Sequence, residues 1–214
     1  MTPYYQDDHA TIYHGDCLEV LSQLAFDVVV TDPPYGLNWK QPERHSPSYD
    51  GIRNDKDTYY RDELLTKIPK DMPAVMFGSP LIQIPPNTKQ VLVWQKPSES
   101  GFFGCFAGYR RDWEAIYLLG KWPQEGAKRS SIIKTKEGLS SYLRGKAHPH
   151  TKPQNLMKKI ILTVPEGVIL DPFMGSGSTL RAAKDLNRQS IGIEIEEHYC
   201  EIAARRLAQE VLPL

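Results

Sequence analysis

The chain has 214 residues, 40% hydrophobic and 24% charged, with 26 Lys/Arg offset by 26 Asp/Glu. That composition belongs to a globular domain and excludes an extended disordered chain. No apolar run reaches the roughly 18 residues that a membrane span requires, and the polar, acidic start from Met1 to Asp8 is not expected to be a secretory leader. The three cysteines, Cys17, Cys105 and Cys200, form no CxxC pair, so a structural zinc site is not expected and a reduced, cytoplasmic setting is.

In chain order, Thr11 to His14 reads as a short strand ending at Gly15-Asp16, and Cys17 to Leu24 sets Leu18, Leu21 and Leu24 at helical spacing. Asp27 to Thr31 is a β-branched run, hence a buried strand, and it leads directly into Asp32-Pro33-Pro34-Tyr35. Two prolines cannot continue a central strand, so this tetrapeptide is a loop at the strand's C-terminal end. Residues 36 to 60 lack periodicity and read as a long loop. Ala74 to Phe77, Val91 to Trp94, Trp113 to Leu119 and Val168 to Leu170 read as strands. Leu180 to Leu186 reads as a helix, Ser190 to Glu194 as a strand, and Glu196 to Gln209 as an amphipathic helix. Strands alternating with helices imply an α/β fold with a mostly parallel sheet. The basic, Gly-rich stretch 97 to 150 reads as material added at the sheet's edge.

The neutral total hides an asymmetry. Residues 97 to 160 carry 12 Lys/Arg against 5 Asp/Glu, leaving 14 against 21 elsewhere. A basic face on an acidic body suits phosphate contacts.

Two loops carry the chemistry. Asp171-Pro172-Phe173-Met174-Gly175-Ser176-Gly177 lies between a strand and a helix, where glycines admit a ligand to the backbone and free N–H groups face it. Glu194, 23 residues after Asp171, ends the next strand and is placed to accept both hydroxyl hydrogens of a ribose. A phosphate-binding P-loop would need a lysine after Gly177, and the dinucleotide pattern would need glycine at Leu180. In the other loop, Asp32 and the Pro33 carbonyl offer two acceptors for the hydrogens of an exocyclic amine, whose lone pair is otherwise delocalised. The proline rings keep that carbonyl aimed. Tyr35 offers a face on which a base swung out of a duplex could stack. His9, His14, His45 and His198 show no metal-ligand spacing, and no metal is expected.

Together these loops resemble the amino-methyltransferases of DNA. The catalytic motif at Asp32 precedes the glycine motif at Asp171, which is the order of the beta class of N6-adenine and N4-cytosine enzymes. Gly15-Asp16-Cys17-Leu18, Trp94-Gln95-Lys96-Pro97 and Arg111-Asp112-Trp113-Glu114 resemble further segments of that family. His148-Pro149-His150-Thr151-Lys152-Pro153 resembles its His-Pro-Thr-Gln-Lys-Pro motif, with His150 and Thr151 departing from the pattern.

The resemblance implies a Rossmann-like S-adenosylmethionine-dependent methyltransferase fold of circularly permuted motif order, its mostly parallel seven-stranded sheet flanked by helices on both faces. Residues 1–96 would form the catalytic half, 97–147 a small basic target-recognition insertion, and 148–214 the cofactor half. Asp32, Pro33, Pro34 and Tyr35 would be catalytic. Asp16, Cys17, Asp32, Lys152 and Glu194 would meet S-adenosyl-L-methionine together with Asp171, Pro172, Phe173, Gly175, Gly177 and Thr179 of the glycine loop. Lys40, Arg44, Lys128, Arg129 and Arg144 would contact double-stranded DNA. The aromatics Phe102, Phe103, Phe106, Tyr109 and Tyr142 suit wedging between base steps or the core of a small subdomain. Asp32, where cytosine enzymes commonly carry serine, favours adenine N6 by family association. The alternatives are cytosine N4, or a silent DNA-binding protein on the same fold. A homodimer and a cognate restriction nuclease are partners that the resemblance admits.

Overall fold

The computed structural model describes residues 1–38, 53–97, 101, 105–123, 128–135 and 151–209. Nine strands form one sheet: β1 (Tyr5–Gln6), β2 (Ala10–His14), β3 (Val28–Thr31), β4 (Ala74–Gly78), β5 (Thr88–Gln95), β6 (Trp113–Leu119), β7 (Ile132–Lys134), β8 (Ile169–Asp171) and β9 (Ser190–Glu194). Their spatial order is β1-β2-β9-β8-β3-β4-β6-β5-β7. Strands β2, β9, β8, β3 and β4 are parallel neighbours, while β6 runs antiparallel between β4 and β5.

The expected sheet of seven is present, with a short strand added on each outer edge: β1 pairs with β2 and β7 with β5. Strands of two and three residues carry too little periodicity to be read from sequence. Within the stretch 97–150 expected at the sheet's edge, β7 is an edge strand and Trp113–Leu119 is not. That strand lies inside the sheet, with Ala115, Ile116, Tyr117 and Leu119 buried.

The pleat explains the layers. Val28 and Val30 point to one face with Val75 and Phe77, and Val29 points to the other with Ala74 and Met76. The first face is covered by α3 (Gln154–Ile161), through Leu156, Met157, Ile160 and Ile161, and by α4 (Ser178–Asp185). The second is covered by α1 (Cys17–Val20), the 3₁₀ turn Leu21–Gln23 and α2 (Tyr59–Lys67). Helix α5 (Glu197–Ala208) sets Cys200, Ala203 and Leu207 against Ile12 and Leu180 at the β2 end. None of the described helices is long and apolar enough to cross a membrane.

Because five strands run parallel, the loops after β2, β3, β4, β8 and β9 emerge along one rim. There an open α/β sheet presents its ligands. Asp16, Asp32, Asp171 and Glu194 all lie at this rim.

Candidate active site

Strand β3 is buried throughout and delivers Asp32 half-buried at the rim. The Tyr35 hydroxyl donates to Asp32 Oδ1 at 2.6 Å, and Lys152 Nζ donates to Asp32 Oδ2 at 2.6 Å. The loop leaves through Gly36, at φ 76°, whose N–H donates to Asp55 Oδ1 at 2.7 Å. A side chain at Gly36 would meet the Asp57 backbone at 2.7 Å, so glycine is required for the close approach.

Two further residues join this cluster. Glu114 Oε1 pairs with Lys96 Nζ at 2.7 Å, and Glu114 Oε2 lies 3.3 Å from Lys152 Nζ and 3.5 Å from the Tyr35 hydroxyl. Burial alone would raise the Glu114 pKa, but the Lys152 and Lys96 ammonium groups outweigh it and hold the carboxyl at about 2. Burial would lower the Lys152 pKa, but Asp32 and Glu114 push it above the usual lysine range. Burial, then the charges of Asp32 and Glu114, push the Tyr35 phenol well up, so it stays a proton donor.

The glycine loop is built differently. Asp171 is 2% exposed and accepts from Thr31 Oγ1 at 2.8 Å, Thr179 Oγ1 at 2.5 Å and the Phe173 N–H at 3.2 Å. Burial raises its carboxyl to about 6, against the pull of these donors. Sequence reasoning expected Asp171 and Thr179 to meet a cofactor. Here the two side chains bond each other, joining β8 to the start of α4, and the Thr31 bond ties the end of β3 to that of β8. Pro172 is buried beneath the loop, and Phe173 packs on the core around α1 and α2.

Gly175 and Gly177 have φ of 50° and 77°. A side chain at Gly177 would strike Ala203 of α5 at 2.8 Å, whereas one at Gly175 would meet nothing within 4 Å. Gly177 therefore serves helix packing, and Gly175 faces open space. Glu194 accepts from the Gly175 N–H at 3.0 Å and the Glu196 N–H at 2.9 Å, with no cation beside it among these contacts. Burial raises its carboxyl to about 7, more than these amides lower it. Asp16 caps α1 through Leu18 N–H at 2.9 Å and accepts from the Tyr60 hydroxyl at 3.3 Å. Cys17 is buried, and that burial pushes its thiol up to about 12, so its side chain is an uncharged core group.

A ligand that donates hydroxyl hydrogens and carries positive charge suits this part of the rim. Glu194 retains a free lone pair on each oxygen, and the open side of Gly175 lets the ligand approach the backbone. The motif around Lys152 is stapled to the same loop by Thr151 Oγ1 to Ser176 Oγ at 3.2 Å and by Gln154 Nε2 to the Ser178 carbonyl at 3.3 Å.

Of the residues expected to touch nucleic acid, Lys128 and Arg129 lie exposed just ahead of β7. Lys40, Arg44 and Arg144 fall outside the described residues, as do Phe102, Phe103 and Tyr142. Among the described residues no group of His, Cys, Asp or Glu could hold a metal ion.

The family model of the N6/N4 DNA methylases matches residues 80–205, more than half of the chain and all of the segment that carries Glu114, Lys152 and the glycine loop. The chain belongs to the N6/N4 DNA methylase family. Similar full-length relatives include the Type II methyltransferases M.ScaI of Streptomyces caespitosus, 28% identical over 99% of this chain and 86% of its own length, and M2.MboI of Moraxella bovis, 28% identical over 99% and 93%. Among solved structures, the M1.HpyAVI complex with S-adenosylmethionine covers 94% of this chain and 100% of its own, at 26% identity and a TM-score of 0.64. The cytosine-N4-specific PvuII DNA methyltransferase shares the fold, at 18% identity and a TM-score of 0.68 over 99% of this chain and 90% of its own. As a DNA methylase of this fold, the protein takes its methyl group from S-adenosyl-L-methionine.

Glu114 and Lys96 are site residues to which sequence reasoning gave no role. Their motifs were visible, but their meeting depends on strand pairing: the Lys96 N–H bonds the Asp112 carbonyl at 2.8 Å and Trp94 stands opposite Glu114. That register makes Lys96 and Glu114 diagonal neighbours.

Proposed function

We propose that this DNA methylase acts on the N6 amine of adenine within a specific duplex sequence, with the base swung out of the stack. The observation that carries this reading is Asp32, aimed by the Tyr35 hydroxyl at 2.6 Å, on the same rim as Gly175 and Glu194. Asp32 and the Pro33 carbonyl accept the two amine hydrogens and draw the nitrogen towards tetrahedral geometry. Asp32 is also the carboxylate nearest to the proton that the nitrogen sheds once methylated. Glu194 receives the ribose hydroxyls, Gly175 the close backbone approach, and Lys152 neutralises the acids around it. When bound, S-adenosyl-L-methionine supplies a methyl already activated by its sulfonium, so alignment provides much of the rate.

The DNA contacts fall to 97–147, divided around strand β6. Phe106 and Tyr109 are 83% and 80% exposed and flank a tight turn at Ala107 and Gly108, with φ of 50° and 81°. Their backbones exchange hydrogen bonds of 3.1 and 2.9 Å, which holds the rings outward. Tyr109 precedes Glu114 by five residues, a reach of at most about 17 Å from the catalytic cluster. Two exposed rings on a stiff turn suit a wedge in the gap left by a flipped base. Lys128 and Arg129 extend the phosphate-binding face. The Type II relatives support a bacterial restriction-modification setting, and on that reading the protein works in the cytoplasm beside a cognate nuclease.

Incubation with labelled S-adenosylmethionine and unmodified plasmid tests the reading. The expected product is N6-methyladenine at one sequence. N4-methylcytosine alone would move the assignment to the cytosine enzymes, and no incorporation would leave a silent DNA binder.

A further inference from the structure

The carboxylate assigned to the amine is already engaged on both oxygens. Asp32 Oδ1 holds the Tyr35 hydroxyl and Oδ2 holds the Lys152 ammonium, each at 2.6 Å. A short charge-assisted bond of that kind weakens the oxygen as an acceptor for a neutral amine. Pulling Lys152 away would ordinarily strand a buried charge, since its side chain is only 11% exposed. Glu114 changes that balance. Its Oε2 has only long contacts, 3.3 Å to Lys152 and 3.5 Å to Tyr35, while Lys96 anchors Oε1 at 2.7 Å from the far side. The ring of Phe77 lies 4.9 Å from Lys152 Nζ and offers the ammonium a favourable surface along the way. Asp32, Glu114, Lys96 and Lys152 sum to zero charge, so a shift of roughly 0.5 Å towards Glu114 brings that contact to full strength while the 2.6 Å bond to Asp32 Oδ2 lengthens and weakens.

We propose that Glu114 is a positioning residue for methyl transfer: it draws the Lys152 ammonium towards itself as the base enters and so loosens the grip of Lys152 on Asp32 Oδ2, leaving that oxygen the stronger acceptor for the amine hydrogen. This rests on Asp32 as the acceptor of the amine. Tyr35 keeps its bond to Oδ1 throughout, so the carboxylate does not rotate as the hold on Oδ2 loosens. Lys96 prevents Glu114 from swinging out to solvent once it has gained its second cation.

Glu114→Gln is expected to lower kcat about 10- to 100-fold while KM for DNA and the calorimetric Kd for S-adenosylmethionine change less than about threefold. The pH at which Lys152 becomes reactive to an acylating reagent, read by peptide mass spectrometry without cofactor or DNA, should fall, because one of its two carboxylates is gone. Glu114→Gln combined with Lys96→Met leaves neither group stranded. If Glu114 acts through Lys152, this double variant remains slow, and it carries the test if the single variant does not fold. Wild-type kcat in either variant would overturn the proposal, as would an unchanged Lys152 reactivity profile. Asp32→Ala separates the two levels: a dead Asp32→Ala beside a fully active Glu114→Gln sinks only the role of Glu114, whereas an active Asp32→Ala sinks the acceptor assignment beneath it.

Discussion

The two loops at the rim are stabilised in opposite ways. The glycine loop is built around one local centre: Asp171 binds Phe173 and Thr179, within eight residues, and Thr31, while Thr151, Gln154 and Glu194 brace the loop from outside. The catalytic loop depends on distant charges, because Asp32 is held by Lys152, 120 residues away, and Tyr35 faces Glu114, 79 residues away. A locally closed loop is a preformed cradle. A loop held by an ion-pair network can redistribute its bonds when substrate arrives, since Lys152 and Tyr35 each lie within 3.5 Å of both Asp32 and Glu114. The first arrangement suits a cofactor bound in one pose, and the second suits an amine that must be gripped and then released.

The strongest way to break this contrast is at its two acids. Asp32→Ala should abolish transfer, by about a thousandfold or more, yet leave the calorimetric affinity for S-adenosylmethionine within a few-fold of wild type. Asp171→Ala should do the reverse. Three donors lose their acceptor inside the protein, and a loss of about 2–4 kcal/mol in denaturant unfolding is expected, with cofactor binding impaired alongside. If Asp171→Ala instead unfolded like wild type and lost only cofactor binding, the side chain would be a ligand contact after all.

Glu194 sharpens the comparison through pH. Its carboxyl is raised to about 7 in the folded protein, above its ordinary value of 4.5. The folded state therefore holds a proton that the unfolded chain has released, and this group's contribution to stability declines as pH rises from about 4.5 to 7. The ionised form is the better acceptor of ribose hydroxyls, so cofactor affinity should rise across the upper part of that window. Calorimetry at pH 6 and pH 8 checks the sign, and Glu194→Gln should flatten the dependence.

The smallest effects are expected outside the rim. Phe106→Ala with Tyr109→Ala should weaken DNA binding by about 1–3 kcal/mol and leave cofactor affinity unchanged. Neutralising Lys128 and Arg129 should weaken all sequences alike and lower the salt slope of DNA affinity by about one for each phosphate contact removed. Fluorescence anisotropy across a salt series separates the two cases.

Much of the architecture was legible in the chain. The β-branched run ending at Thr31 and the prolines after it required a strand followed by a rigid loop. The two helices that escaped notice differ in kind. In α3, Leu156, Met157, Ile160 and Ile161 keep helical spacing, so the signal was present beside a motif that drew attention first. Helix α2 buries only Arg61 and Leu64 over nine residues, too few apolar positions for periodicity to register.

The sequence by itself determined the order of motifs and the alternation of strands and helices, because these follow from local backbone preference and side-chain chemistry, and the permuted fold followed from the family that this order resembles. Tertiary structure decided which side chains of those motifs are free to act. Asp171 and Thr179 bear donors and acceptors fit for a ligand, yet folding sets them face to face and commits each to a bond with the other. Glu114 and Lys96 looked like parts of unassigned strand-end motifs until antiparallel pairing brought them together beneath Tyr35 and Lys152. Hydrogen-bond capacity belongs to a residue, but its allocation depends on what the fold places within 3 Å.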